Sequence, residues 1–260
     1  MFKNDASLIQ NSHSMQTGLN GGEKIKGTVL QPTYLPWSGY FDMINSTDIY
    51  VVFDHVQFER KSWQQRNRIK GPNGVHWITI PIQKVARDTP ICDIRISYGQ
   101  GDPLSKHWKA ITSAYQKAPY FAEYRPFFEA IYSKHYTLLR DLNVDLIKVI
   151  CNALGIKMKL AFSSELDLND QEMGKTEKVI NLCKKAGITC MYEGKSGQDF
   201  IDLALFEREQ IDIKFHEFIP NPYPQLYGSF VPHCSVIDLL FNVGERSLQI
   251  IKQGSKRESK

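Results

Sequence analysis

The stretch TVLQPTYLPWSGYFDMINSTDIYVVF, Thr28 to Phe53, decides the fold class. Gly27 to Leu30 is a short apolar strand that Gln31-Pro32 stops, because proline brings no N–H to a sheet ladder and holds its predecessor extended. Pro32, Tyr34, Pro36, Trp37 and Tyr40 then form a stiff aromatic turn, and Gly39 to Asn45 has room for one or two helical turns. Asp48 to Phe53 has the β-branched and aromatic content of a buried strand. Strand, short helix, strand reads as a parallel βαβ unit, whose ligand crevice lies at the carboxyl ends of its strands. Here those ends are Gln31 and Asp54.

The alternation returns later in the chain. Lys159 to Ser163 reads as a strand, Lys175 to Ala186 as a helix closed by Gly187, Ile188 to Tyr192 as a strand, Gln198 to Arg208 as a helix, and Ile211 to Phe215 as a strand. Such a pattern predicts a doubly wound α/β protein with a mostly parallel sheet. Residues 103–155 interrupt it with a helical insertion: Asp102-Pro103 starts a helix over Leu104 to Lys117, Ala118-Pro119 breaks it, Phe121 to Tyr132 makes a second, and Leu138 to Leu154 a third that ends at Gly155. The aromatics of the insertion fill interhelical space, with His107 and His135 structural or exposed. The expected organisation is an N-terminal tail over 1–24, one α/β domain over 25–250, and a polar C-terminal tail over 251–260.

With 260 residues the chain can bury a stable core. Its five cysteines include no Cys-x-x-Cys pair, so neither a disulfide framework nor a zinc site is indicated, and no other metal site or cofactor suggests itself. No long apolar run or signal-peptide pattern occurs, so membrane insertion is not expected and the cytoplasm is the expected compartment. A net charge of +4 is too small to make nucleic acid the main partner.

Polar density is local instead. Arg60, Lys61, Arg66, Arg68 and Lys70 form a basic loop with Gln64, Gln65 and Asn67 among them, a set of planar donors suited to phosphate or sugar. Pro72 to Gly74 is a turn after which His76 to Ile82 can fold back as a hairpin. Glu193 to Gly197 (EGKSG) is a Gly-rich strand-to-helix turn, where glycines let a ligand approach and the following helix start favours an anion. It is neither a P-loop nor a dinucleotide fingerprint. Pro220 to Pro232 holds too many prolines for a helix or central strand, so it is an ordered loop, either a cover over the crevice or a strap across the sheet. His233 follows it, ahead of an apolar helix.

Three clusters together resemble the WbqC-like protein family: QPTYLPWSGYFDMI with DIYVVFDHVQF and SWQQRNRIKGPNGVHWITIPI, then YEGKSGQDFID, then YPQLYGSFVPHCSVIDLLFNVG. The resemblance spans about Gly27 to Gly244. Family members commonly show His where this chain has Leu30, and often Asp where it has His55. The resemblance implies a role in bacterial surface polysaccharide such as O-antigen, as a glycyl or other acyl transferase acting on a nucleotide-linked or lipid-linked amino sugar. Its expected partners are that small-molecule substrate and an acyl or aminoacyl donor, tRNA being one source. On this reading Asp54 orients or deprotonates the amine, with His233 as alternate. Arg66, Arg68 and Lys70 hold a diphosphate, Gln31, Gln57, Asn67 and Gln225 the sugar hydroxyls, and Tyr34, Trp37 and Tyr223 a sugar or base face. Gly194, Ser196 and Gly197 line the same edge. A non-catalytic nucleotide-sugar carrier is the alternative. A further alternative is an adenylate-forming enzyme, by analogy with a first βαβ unit whose turn binds ATP, although Trp37 and Tyr40 stand where such a turn has histidines.

Overall fold

The computed structural model describes residues 23–169 and 172–256. The expected N-terminal tail lies outside the described residues except for its last two positions. Six strands form one sheet: β1 (Lys26–Leu30), β2 (Ile49–Val52), β5 (Lys159–Phe162), β6 (Cys190–Gly194), β7 (Asp212–Phe218) and β8 (Ser255–Lys256), in the order β5-β2-β1-β6-β7-β8. All neighbours are parallel except β7 and β8. The α/β reading of the sequence therefore holds.

Strand alternation divides two cores. Tyr50 and Val52 of β2 face a large one, packed by α1 (Ser38–Asn45), α2 (Pro103–Tyr115), α3 (Phe121–Tyr132), α4 (Leu139–Leu154), α7 (Val236–Val243) and α8 (Ser247–Gly254). Val29, Val51 and Met191 face a smaller one closed by α5 (Lys175–Lys185) and α6 (Leu203–Arg208). Successive strand residues point to opposite faces, so each strand contributes to both layers.

The helical insertion forms where expected. Asp102 caps α2 by accepting from Leu104 N, with Pro103 at the first position, and Gly155 ends α4 in the left-handed conformation (φ 70°). Among the described residues no helix is long and apolar enough to cross a membrane.

Three expectations change. The basic loop is in large part a strand: β3 (Arg66–Gly71) pairs antiparallel with β4 (Gly74–Thr79) in the hairpin announced by the Pro-Asn-Gly turn, apart from the main sheet. The helix expected from Gln198 is divided into a 3-10 turn over Lys195–Asp199 and α6, because Asp202 caps a new start through Ala204 N at 3.0 Å. Of the expected C-terminal tail, residues 251–256 are not a tail: α8 runs to Gly254, and β8 pairs with the end of β7.

Candidate active site at the strand ends

The chain leaves β1 toward α1 on the large-core face and leaves β6 toward α6 on the other. The sheet therefore has its topological switch point between β1 and β6, where α/β proteins open a ligand crevice. The β1–β6 pairing ends at Thr28 and Tyr192, and both strands run on past it, to Leu30 and to Gly194.

On the β6 side, the Gly-rich turn already seats a carboxyl group, and it belongs to the protein. Gly194 N donates to Glu193 Oε1 at 3.0 Å. A Cβ on Gly197 would lie 2.4 Å from Glu193 Cγ, so only glycine lets the turn fold over this side chain. Burial pushes the Glu193 carboxyl up to about 7. A carboxyl at that value exchanges protons at neutral pH. Sequence reasoning quoted Glu193 within the turn and missed its role, since nothing local signals its burial. Of the expected turn residues, Gly194 and Gly197 shape this seat, while Ser196 is exposed.

On the large-core face of the sheet stands a group of rings and guanidinium groups. Trp37 meets Phe218, at the end of β7, edge-on at 5.3 Å and lies 5.2 Å from His233. His233 has a left-handed backbone (φ 58°), and its carbonyl accepts from Arg68 Nη2 at 3.0 Å. Partial burial, then the Arg68 charge, hold the His233 imidazole below its ordinary pKa. Arg66 and Arg68 lie over the Trp77 ring at 4.3 and 5.8 Å. The Nε of each arginine is buried with no acceptor in the protein. A buried donor left so costs about 1–3 kcal/mol, and an anionic ligand is the natural acceptor. Gln31 joins hairpin to sheet: Gln64 Nε2 donates to Gln31 Oε1 at 2.9 Å.

Other expected site residues lie elsewhere, each for a physical reason. Asp54 is fully buried; its carboxylate accepts from Ser163 Oγ (3.0 Å), Ser164 N (2.9 Å), Ser164 Oγ (2.8 Å) and Arg140 Nη1 (2.9 Å). With its acceptor positions taken, it ties the ends of β2 and β5 to α4 and is no free base. The expected crevice of Gln31, Asp54 and Tyr223 to Gln225 is therefore not formed as one set of contacts. Tyr34 is fully buried, its hydroxyl 2.8 Å from His107 Nδ1 and 2.7 Å from that of Tyr132, so it offers no face to a sugar. Asn67 Nδ2 donates to the carbonyls of Tyr34 (3.2 Å) and Leu35 (2.7 Å), fastening hairpin to turn.

Lys70 is buried too, with Nζ donating to Gln225 Oε1 at 3.1 Å and to the Ser229 carbonyl at 2.6 Å. Tyr223 OH donates to Asp238 Oδ1 at 3.0 Å, and Tyr115 OH to its Oδ2 at 2.9 Å. The proline-rich segment is thus a strap held from below, and Lys70, Tyr223 and Gln225 serve it. Gln57 is exposed on the loop that bridges to Pro90.

A model of the WbqC-like protein family matches residues 31–250. The chain belongs to the WbqC-like protein family. A curated relative, the uncharacterized protein Rv1507c of Mycobacterium tuberculosis, is 37% identical over 222 residues, covering 84% of this WbqC-like chain and 94% of the relative. No solved structure matches. The family match takes in all of these residues, from Gln31 through Glu193 to His233.

Proposed function

We propose that this WbqC-like protein transfers an acyl or aminoacyl group, such as glycyl, to the amine of a nucleotide-linked or lipid-linked amino sugar in the bacterial cytoplasm, for surface polysaccharide such as O-antigen. One observation carries the reading: a buried carboxyl raised to about 7, Glu193, near the end of β6 beside the switch point of the sheet. Separately, the Nε donors of Arg66 and Arg68 on the hairpin have no acceptor in the protein.

Amide formation needs the amine nitrogen unprotonated as it attacks the carbonyl carbon of an activated ester or thioester. The C–N bond forms, the C–O or C–S bond breaks, and the leaving group departs with the electron pair. Glu193 takes the proton from nitrogen and returns it to the leaving oxygen or sulfur. A carboxylate of ordinary pKa would be too weak a base; one at about 7 is matched to neutral pH. His233, exposed beside Trp37, is the second candidate for the proton. Arg66 and Arg68 would supply the diphosphate contact, and Gln31 a contact to a sugar hydroxyl.

The test is incubation of full-length protein with amino-sugar nucleotides and with glycyl or acyl donors, read by mass spectrometry. A product heavier by the acyl group, formed by wild type and not by Glu193→Gln, is expected. Tight nucleotide-sugar binding with no product from any donor would replace the transferase by a carrier.

A further inference from the structure

Two tryptophans stand outside the core, and Trp63 has no role in what has been described so far. Trp63 and Trp77 are 47% and 45% exposed, with ring centroids 5.2 Å apart and planes tilted by 41°. Solvent-facing tryptophans in contact are costly to leave bare, and they sit on the hairpin that carries Arg66 and Arg68. Cross-strand pairing sets Trp77 opposite Arg68, so the ring and both guanidinium groups share the outer face of the hairpin. Cation–π contact accounts for Trp77. It does not account for Trp63, whose ring meets only that of Trp77 among the aromatic and cation contacts of the described residues.

We infer that Trp63 and Trp77 are the seat of a nucleobase, and that the carrier of the amino sugar is a nucleoside diphosphate and not a lipid diphosphate. This rests on the proposal that Arg66 and Arg68 hold a diphosphate, and extends it to the group beyond. Two features of the surface support that occupant. The two arginines next to the rings present buried Nε donors with no acceptor in the protein, which is complementary to a dianion. Aromatic faces beside guanidinium groups stack any base, because every base has a π face. The chain geometry also joins this seat to the crevice: Gln64, next to Trp63, donates to Gln31 at the end of β1. A base on the tryptophans, phosphates at the arginines and a sugar toward Gln31 therefore follow one path along the surface.

Binding of UDP, GDP, dTDP and ADP to the full-length protein, measured by calorimetry and by quenching of tryptophan fluorescence, tests the inference, with inorganic pyrophosphate and glucosamine 1-phosphate as probes that lack a base. At least one nucleoside diphosphate should bind about tenfold or more tighter than pyrophosphate and quench fluorescence, and Trp63→Leu should remove that advantage, as expected for one lost base–aromatic stack. Trp63→Leu should leave pyrophosphate binding unchanged, whereas Arg66→Ala and Arg68→Ala weaken both probes. Nucleoside diphosphates that bind Trp63→Leu and Trp77→Leu as they bind wild type, while the arginine variants still lose affinity, would overturn the base seat and leave the diphosphate reading standing. Glucosamine 1-phosphate binding as tightly as any nucleoside diphosphate would overturn it too. Wild type that binds neither nucleoside diphosphates nor pyrophosphate would overturn both readings.

Discussion

Lys70 Nζ donates to Gln225 Oε1 at 3.1 Å across 155 positions of sequence, although Lys70 is almost wholly buried. A cation read in sequence as a ligand contact is thus the fastening of the proline-rich strap. Lys70→Met should release residues 220–232, costing about 1.5–3 kcal/mol, the range for hydrogen bonds to a charged group. Urea denaturation and limited proteolysis within the strap measure this; unchanged stability and unchanged cleavage would mean that the strap is held by other contacts.

Asp54 and Arg140 make the second such fastening. Asp54→Asn leaves Arg140 with only the exposed Asp141 carboxylate and should lower stability by about 3 kcal/mol, the lower end for a broken buried pair, because Arg140 keeps some access to water. An equilibrium unfolding curve decides: a wild-type midpoint, combined with lost activity, would restore Asp54 as a candidate base.

Stability should depend on pH through two groups of opposite sign. Burial depresses His107 from 6.5 to about 4, so the unfolded chain binds the extra proton between those values and stability rises with pH across that window. Burial raises Glu193 from 4.5 to about 7, so the folded chain binds the extra proton and stability falls as pH rises from 4.5 toward 7. The windows overlap, so the observable is the difference between wild type and each variant. His107→Gln should remove the rising component, and Glu193→Gln the falling one. Differences that do not change with pH would disprove both shifts.

Much of the fold is legible in the sequence because most strands of the main sheet are short runs rich in apolar residues bounded by glycine, proline or a cap, each detectable locally, the two-residue β8 being the exception. The β3 strand is not of that kind. Arg66, Arg68 and Lys70 alternate with Asn67, Ile69 and Gly71, which is a period of two, but its buried positions include an amide and a glycine where a hydrophobic pattern was sought. Charge spaced by two before a Pro-Asn-Gly turn was the available signal. The site was legible only in its outline. Gln31, Trp37, Arg66, Arg68 and the EGKSG turn stand out in the sequence as polar or aromatic groups at strand ends and turns, but which polar group is saturated and which is open depends on partners far along the chain. Asp54 meets Arg140 at a separation of 86 residues, and Glu193 owes its raised pKa to burial that only the folded turn creates.

The proton acceptor is tested most directly by the rate of amide formation by Glu193→Gln and wild type, from pH 5 to 9, with nucleotide-sugar affinity measured in parallel. The wild-type rate should rise with pH to a plateau above about 7, since the carboxylate is the active form. Glu193→Gln should be slower by about a hundredfold or more, the usual contribution of a general base, at an affinity within about twofold of wild type. A Glu193→Gln protein with the wild-type rate and the wild-type pH profile would contradict this assignment and leave His233 as the candidate base.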